Sequence, residues 1–164
     1  IARRQRQMCI RDRFVDARLV QSRQQLMTAI VQAIVGAMRR DPKRPDAEVG
    51  LRTPSIHSDL LWTLHSNNNI AEALRRFGVS RTTRTLILVR VAPPLDAGEL
   101  VQHMTQLVDG TLQTRGLSLP SPALAWSELG TAYKIQDTPA FQHPDTSQVD
   151  ALICSMVASK YVGA

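Results

Sequence analysis

The spacing of apolar residues predicts alternating strands and helices from residue 14 onward. Residues 14–20, "FVDARLV", alternate between apolar and polar positions and predict an extended strand. Ser22 and Gln25 follow with the spacing of a capping box, in which two side chains satisfy free backbone N–H groups at a helix start. Apolar residues then recur every three or four positions as far as Met38, which predicts a long helix with one face in the core.

The middle of the chain predicts a strand, a short helix and a second strand. Residues 56–65, "IHSDLLWTLH", alternate with a period of two, which is typical of a strand with one buried face. Asn69 and Glu72 form another capping-box pair, and the helix they open is expected to end with Gly78 in a left-handed conformation. Residues 85–91, "TLILVRV", are almost continuously apolar and predict a central strand.

The last third of the chain predicts three helices and completes the fold class. Asp96 and Glu99 cap a helix that ends near Gly110, and its inward positions are Leu100, Val101, Met104, Leu107 and Val108. Pro122 opens a helix that reaches residue 129 or 133, residues 138–146 form a loop, and the final helix covers residues 147–159. The sequence therefore predicts a mixed α/β (α+β) single domain, with a small central sheet and helices packed on its faces.

Residues 1–13, "IARRQRQMCIRDR", differ from the remainder and are predicted to be a disordered basic tail. They contain five arginines and one aspartate, a net charge of +4, whereas the whole chain carries +6. The letters "MCIRDR" resemble translated sequencing adapter, so one interpretation is that the tail is not native. The other interpretation is a native arm that strengthens binding to an acidic partner. The folded domain is expected to cover residues 14–164.

Composition and motifs argue against several classes of function. No apolar run approaches about 18 residues and no apolar segment opens the chain, so neither a membrane span nor a secretory signal is expected. Cys9 and Cys154 stand far apart, which favours a reducing compartment. The four histidines lack metal-ligand spacing, and neither a nucleophile elbow nor a phosphate-binding loop is present. Cys154 is expected to be a buried structural thiol. We therefore expect no enzyme, metal, cofactor or small-molecule substrate.

A small basic cluster surrounds the short helix and its exit, and it consists of Arg75, Arg76, Arg81 and Arg84. Two interpretations stay open: a solvated helix face, or a surface that contacts nucleic acid. Aromatic residues for base stacking are few, and Phe77 and Trp62 are expected in the core. A free-standing small RNA-binding module is therefore the alternative function.

One long stretch of the sequence resembles a known family. "SNNNIAEALRRFGVS", followed by the strand "TLILVRV", resembles the kinase-binding (TPRKB-type) subunit of the EKC/KEOPS complex, and the wording is similar to fungal members. Supporting likenesses lie in "FVDARLVQSRQQLMTAIVQAI", Arg52-Thr53, "AYKIQDTPA" and "QVDALICSMVASKYV". The resemblance covers about residues 14–164. Ser66 precedes the asparagines where the family often has Ser-Pro, and Ala17 replaces the usual proline.

The resemblance implies a non-catalytic adaptor. It implies binding to the complex's atypical kinase/ATPase subunit and, through the kinase, to the other subunits. It also implies help in recruiting tRNA by its 3′ end for threonylcarbamoyl-adenosine formation at position 37. The expected location is the cytoplasm and the nucleus, and the complex has been tied to telomere upkeep and transcription.

Candidate contact residues follow from this resemblance, and each has an alternative role in the core, in a helix cap or in solubility. Asn69 alone is required as a cap, so two interpretations of Asn67 and Asn68 stay open: a turn presented to a partner beside the short helix, or simple turn formation. The kinase-binding candidates are Asn67, Asn68, Asn69, Ile70, Ala73, Met156 and Tyr161. The tRNA-binding candidates are Arg52, Arg75, Arg76 and Lys134.

Overall fold

The structure, a computed structural model, describes residues 12–39, 50–91, 97–113, 124–143 and 145–162. Its strands are β1 (Asp12–Asp16) and β2 (Leu86–Arg90), and a single 3-10 turn, Ala17–Leu19, follows β1. Its helices are α1 (Arg23–Met38), α2 (Ile56–Leu64), α3 (Ile70–Phe77), α4 (Ala97–Leu107), α5 (Trp126–Tyr133), α6 (Pro139–Gln142) and α7 (Thr146–Ala158). The mixed α/β fold class is confirmed. None of these helices is long and apolar enough to cross a membrane.

The two described strands pair antiparallel, with Phe14 opposite Leu88. Strand β1 starts at Asp12, so two residues assigned above to the tail belong to the sheet, while the prediction for residues 1–11 lies outside the described residues. Arg13 also donates hydrogen bonds to the Ser58 hydroxyl and to the carbonyl before it, which ties β1 to α2. Since β2 has one strand neighbour within the described sheet, it is not the central strand that was expected.

Helix α1 begins as its capping pair predicts, although the second half of the capping box differs. The Ser22 hydroxyl accepts the backbone N–H of Gln25 at 2.9 Å. The Gln25 amide oxygen accepts the N–H of Gln21 at 2.7 Å, and its amide nitrogen donates to the Tyr133 hydroxyl at 2.8 Å. A buried glutamine thus joins the start of α1 to the end of α5, and its polar groups are satisfied within the core.

The strand expected at residues 56–65 is wrong, because these residues form helix α2. The Ser55 hydroxyl accepts the backbone N–H of Ser58 at 3.2 Å and caps the helix. Seven of the nine side chains of α2 are buried. A helix buried on all sides shows no apolar stripe, so the chance alternation of polar and apolar residues imitated a strand.

Helix α3 forms as predicted, but Gly78 ends it in an extended conformation, with φ −77° and ψ 156°, and not in the expected left-handed one. Gly78 bridges Val15 of β1. A Cβ atom at this position would collide with the carbonyl oxygen of Leu74. The glycine is therefore required because the chain passes close to the last carbonyl groups of α3.

The second half of the chain agrees with the predictions in part. Helix α4 forms, but the side chain of Val101, expected to face inward, is 46% exposed. The proposed caps Asp96 and Pro122 lie outside the described residues, as do the side chains of Leu100 and Met104. The expected loop at residues 138–146 contains the one-turn helix α6.

The final helix and the burial of Cys154, Phe77 and Trp62 are confirmed, whereas Met38, expected on the core face of α1, is 73% exposed. Helix α7 lies within one residue of its expected bounds, and Cys154 within it is buried. Burial, together with Asp150, raises the pKa of the Cys154 thiol to about 11, as expected of a structural cysteine. Phe77 and Trp62 are buried as predicted. Helix α1 packs against α2 and α7, while α2 and α3 contact strand β1.

Candidate functional site

The three asparagines form a turn that is hydrogen-bonded to the start of α3, and we call residues 65–69 the asparagine turn. Asn69 accepts the backbone N–H of Glu72 at 3.1 Å, as predicted for the cap. Asn67 accepts the N–H of Asn69 at 2.9 Å and donates to the Glu72 carboxylate at 3.1 Å. Asn67 therefore has a local structural role. Its side chain, and not that of Glu72 as expected for a capping box, accepts the backbone N–H of Asn69.

Glu72 is the centre of this network. Its carboxylate accepts from Arg76 at 2.9 Å and lies 3.7 Å from a guanidinium nitrogen of Arg75. The hydrogen bonds from Asn67 and Arg76 lower the pKa of Glu72. His65 Nε2 lies 4.0 Å away, while its Nδ1 accepts the N–H of Asn67 at 3.1 Å. Burial lowers the pKa of His65, which favours the neutral imidazole over the charged one.

Lys160, which follows α7, stabilises the same turn through two hydrogen bonds. Lys160 donates to the carbonyl of His65 at 2.7 Å and to that of Asn67 at 2.5 Å. Its ammonium lies 4.6 Å from the centre of the Trp62 ring. Within the described residues no carboxylate reaches ion-pair distance of it, and burial lowers the pKa of Lys160 to about 8. The ammonium thus acts as a structural donor to two backbone carbonyls.

Tyr161, next to this lysine, is part of the core. Its hydroxyl donates to the buried carboxylate of Asp59, which also accepts the backbone N–H groups of Arg52 and Thr53 at 2.9 Å each. The Tyr161 ring packs edge-on against Trp62, with the centroids 5.3 Å apart. This contact stabilises the position of the last residues of the described chain.

The predicted kinase-binding residues fall into two groups. Residues 67–70 lie together at the asparagine turn and the first residue of α3; Asn68 and Asn69 are exposed and Ile70 is 37% exposed. Ala73 is fully buried, Tyr161 is 7% exposed, and Met156 is half-buried against the core. The second group therefore offers little surface to a partner in this structure.

The predicted tRNA-binding residues are dispersed over three elements. Arg75 and Arg76 share α3, where Arg75 is exposed and Arg76 is half-buried beside Glu72. Arg52 is exposed before α2, and Lys134 is exposed after α5 with a left-handed backbone, φ 55°. Two of the four candidates, Arg75 and Arg76, thus lie on the same helix. Of these two, only Arg75 has a largely exposed side chain.

A surface on α1 is the feature that sequence reasoning missed. The outer face of α1 consists of Met27, Val31, Val35 and Met38, whose residues are 45%, 51%, 41% and 73% exposed. At 3.6 residues per turn these side chains fall within an arc of about 80°. The buried residues of the same helix lie on the opposite side. The signal was present in the sequence, because apolar residues in α1 are too many for one stripe.

Among the described residues, the remaining exposed large apolar side chains are Ile70 and Leu74, one turn apart on α3, and the separate residues Val101, Leu112 and Val162. Among the described residues, no three His, Cys, Asp or Glu side chains come together as metal ligands. Within the described residues, the largest group of exposed apolar side chains therefore lies on α1, while the asparagine turn and α3 present polar side chains together with Ile70 and Leu74.

Comparison with known proteins gives one family. Residues 3–161 match the family described as kinase binding protein CGI-121, so the matched range begins inside the segment set apart above as a tail. The EKC/KEOPS complex subunit CGI121 of Gibberella zeae is 36% identical over 104 residues, which are 59% of this chain and 48% of that protein. The subunit of Aspergillus terreus is 32% identical over 100 residues, 60% of this chain and 47% of the relative.

A longer alignment extends over most of the chain. The EKC/KEOPS complex subunit cgi121 of Neurospora crassa is 25% identical over 167 aligned positions, which cover 88% of this chain and 76% of the relative. In the Gibberella and Aspergillus comparisons, by contrast, the chain spans about half the length of the relative.

Proposed function

The chain belongs to the family of the kinase binding protein CGI-121, and we propose that it is a non-catalytic subunit of an EKC/KEOPS complex that binds the complex's kinase subunit. The observation that carries this proposal is the family match over residues 3–161. The named relatives from Gibberella and Neurospora, both EKC/KEOPS complex subunits, support it.

The geometry of the described residues supports an adaptor. The buried ionisable groups are engaged in structural contacts, as Lys160 is with two backbone carbonyls and Tyr161 with Asp59. The grouped apolar side chains of α1 lie outside the core, and surplus apolar surface of this kind is typical of protein interfaces. Binding of a partner protein through the exposed side chains of α1 therefore accounts for these features better than catalysis does.

Kinase binding is tested directly with purified proteins. The full chain and the kinase subunit of the same organism are mixed, and the affinity is measured by titration calorimetry. We expect a dissociation constant in the micromolar range or tighter, and no ATP hydrolysis by this chain alone. An absence of binding at tens of micromolar kinase would overturn the proposal.

The tRNA role is a second part of the proposal. We expect the chain to help recruit tRNA through its 3′ end for threonylcarbamoyl-adenosine formation, with Arg75 as the best placed of the candidates and Arg52, Arg76 and Lys134 as further ones. The exposure of Arg75 on a basic helix face supports this choice.

Charge reversal separates specific tRNA binding from general attraction. Arg75→Glu should weaken binding of intact tRNA, whereas Arg23→Glu, which reverses an exposed arginine on α1, should not. tRNA trimmed at its 3′ end is the ligand control. Strong binding to the trimmed form, without kinase and with a steep salt dependence, would favour the free-standing RNA-binding module instead.

The place of action is part of the proposal as well. We expect this subunit in the cytoplasm and the nucleus, together with the kinase subunit. A fluorescent fusion of the full chain, imaged beside a labelled kinase subunit, tests this. Exclusion of the fusion from both compartments, or a location different from that of the kinase, would contradict it.

A further inference from the structure

Helix α1 carries apolar side chains on two opposite sides. One side, which includes Leu26, Ala29 and Ala33, is buried against α2 and α7. The other is the outer face of α1, where four large apolar side chains lie between 41% and 73% exposed. The protein core therefore does not require the outer face, and a water-exposed apolar stripe along a whole helix costs solubility.

The spacing of the outer face is that of a helix recognised by a groove. Its residues stand at positions i, i+4, i+8 and i+11, and α1 has 16 residues, a length of about 24 Å. Helices that dock into an apolar groove present anchors at such intervals. Methionines at both ends, Met27 and Met38, can adapt their flexible side chains to a partner.

The charge on this helix defines the partner more closely. Helix α1 contains no acidic residue, and two exposed arginines lie at its ends: Arg23, and Arg39, whose guanidinium lies 5.4 Å from the centre of the Tyr161 ring. The surface is thus an apolar centre with a basic rim. Its complement is a protein groove with apolar walls and acidic edges, whereas a nucleic acid would require basic residues across the centre.

The asparagine turn is a poorer match for a protein groove. Its exposed side chains, Asn68 and Asn69, are small and polar. The side chain of Asn67 is hydrogen-bonded to Glu72, and its backbone carbonyl accepts from Lys160. Most of the energy of protein association comes from large buried side chains at the centre of an interface. Beside the turn, two such side chains, Ile70 and Leu74 of α3, are 37% and 39% exposed, whereas the outer face of α1 groups four.

We propose that the outer face of α1 is the surface on which the kinase subunit docks. This proposal rests on the function proposed above and assigns that function to a surface. The residues of the asparagine turn then lie outside the centre of the kinase contact. Residues Met27, Val31, Val35 and Met38 fill the groove, and the two arginines meet its acidic edges.

The test compares the same substitution on different surfaces of the full chain. The double variant Val31→Asp with Val35→Asp should weaken kinase binding by about 30-fold or more, measured by calorimetry. Val101→Asp, an equally exposed valine on α4, should leave the affinity within about threefold. Ile70→Asp, at the asparagine turn, should also stay within that range.

A second pair of variants guards against a folding defect. Met27→Ser with Met38→Ser changes two exposed side chains at the ends of the stripe, and it should weaken binding by about tenfold with an unchanged thermal midpoint. Near-ultraviolet circular dichroism and thermal unfolding are recorded for every variant. A loss of affinity counts only for variants with a wild-type spectrum.

Each other outcome has one meaning. Wild-type affinity in both α1 variants, while the unchanged chain binds the kinase, overturns the docking surface but leaves the proposed function standing. A loss confined to Ile70→Asp overturns it in favour of the asparagine turn. A wild-type dimer that the α1 variants dissociate, with kinase binding unchanged, shows that a second copy occupies the face. A wild-type chain that binds no kinase removes the proposed function itself.

Discussion

The asparagine turn and the outer face of α1 are both on the surface, but they differ in how their side chains are used. At the turn, Asn67, Glu72 and Lys160 bond to neighbours within the same protein. On the outer face of α1, large apolar side chains meet water. The difference indicates that an unusual sequence motif can serve the fold, while an ordinary-looking helix can carry the surface for a partner.

Substitution of Lys160 tests whether the hydrogen bonds of the asparagine turn stabilise the fold. Lys160→Met keeps the length of the side chain but leaves the carbonyls of His65 and Asn67 without their donor. We expect a loss of about 2 kcal/mol in the free energy of unfolding, because unsatisfied buried acceptors are costly and relief of the buried charge offsets only part of this. Chemical denaturation measures it.

Val162→Met is the matched control, since this neighbouring residue is 85% exposed and its change should cost less than about 0.5 kcal/mol. A Lys160→Met protein as stable as the wild type would mean that the turn does not depend on the end of the chain. The asparagine turn would then be no better fixed than an ordinary loop.

The pH dependence of stability tests the same contact. Burial lowers the pKa of Lys160 to about 8, while a lysine in an unfolded chain titrates near 10.4. The unfolded chain therefore binds this proton more tightly, and the contribution of Lys160 to stability rises as the pH increases from 8 towards 10.4. The advantage of the wild type over Lys160→Met should grow by about 1 kcal/mol between pH 7.5 and 9.

Unfolding curves of both proteins at each pH provide the measurement. Burial also raises the pKa values of Tyr133 and Cys154, so these groups reduce stability at alkaline pH. They are present in both proteins and cancel in the difference. A constant difference across this range would place the pKa of Lys160 near its ordinary value.

A smaller effect separates the first two asparagines. Asn67→Ala removes a cap on the Asn69 N–H and a donor to Glu72, and we expect a loss of about 1 kcal/mol. Asn68→Ala should change stability by less than about 0.5 kcal/mol, because its side chain is exposed and makes no hydrogen bond within the described residues. Thermal unfolding of the two single variants decides the matter, and equal losses would contradict the assigned roles.

The sequence predicted the elements whose chemistry is local. Helix α3 was recognised because Asn69 caps it and Ala73 and Phe77 recur on one face, and both are buried. Helix α2 was missed because burial on all sides removed the stripe that identifies a helix. Gly78 was misjudged since a close backbone contact, and not a left-handed turn, requires the glycine.

The site was harder to predict than the elements, for a physical reason. His65 and Lys160 are 95 residues apart in the chain, and no local sequence pattern predicts that the ammonium of Lys160 donates to the backbone carbonyl of His65. Ala73 and Tyr161 were proposed as surface residues, but tertiary packing buries both. The outer face of α1 was overlooked because only the apolar stripe expected to face the core was followed, and Met38, which is 73% exposed, was wrongly assigned to that stripe.

The last prediction compares the two faces of helix α1. Val31→Asp should lower the free energy of unfolding by less than about 1 kcal/mol, since the valine is half exposed and both residues have similar helix propensity. Ala33→Asp, two residues away on the buried side of α1, should cost about 3 kcal/mol or more, because it buries a charge without a partner. Urea denaturation of the two variants compares the faces of one helix. If Val31→Asp proved as damaging as Ala33→Asp, the outer face would be needed for folding, and its apolar residues would no longer be evidence for a partner.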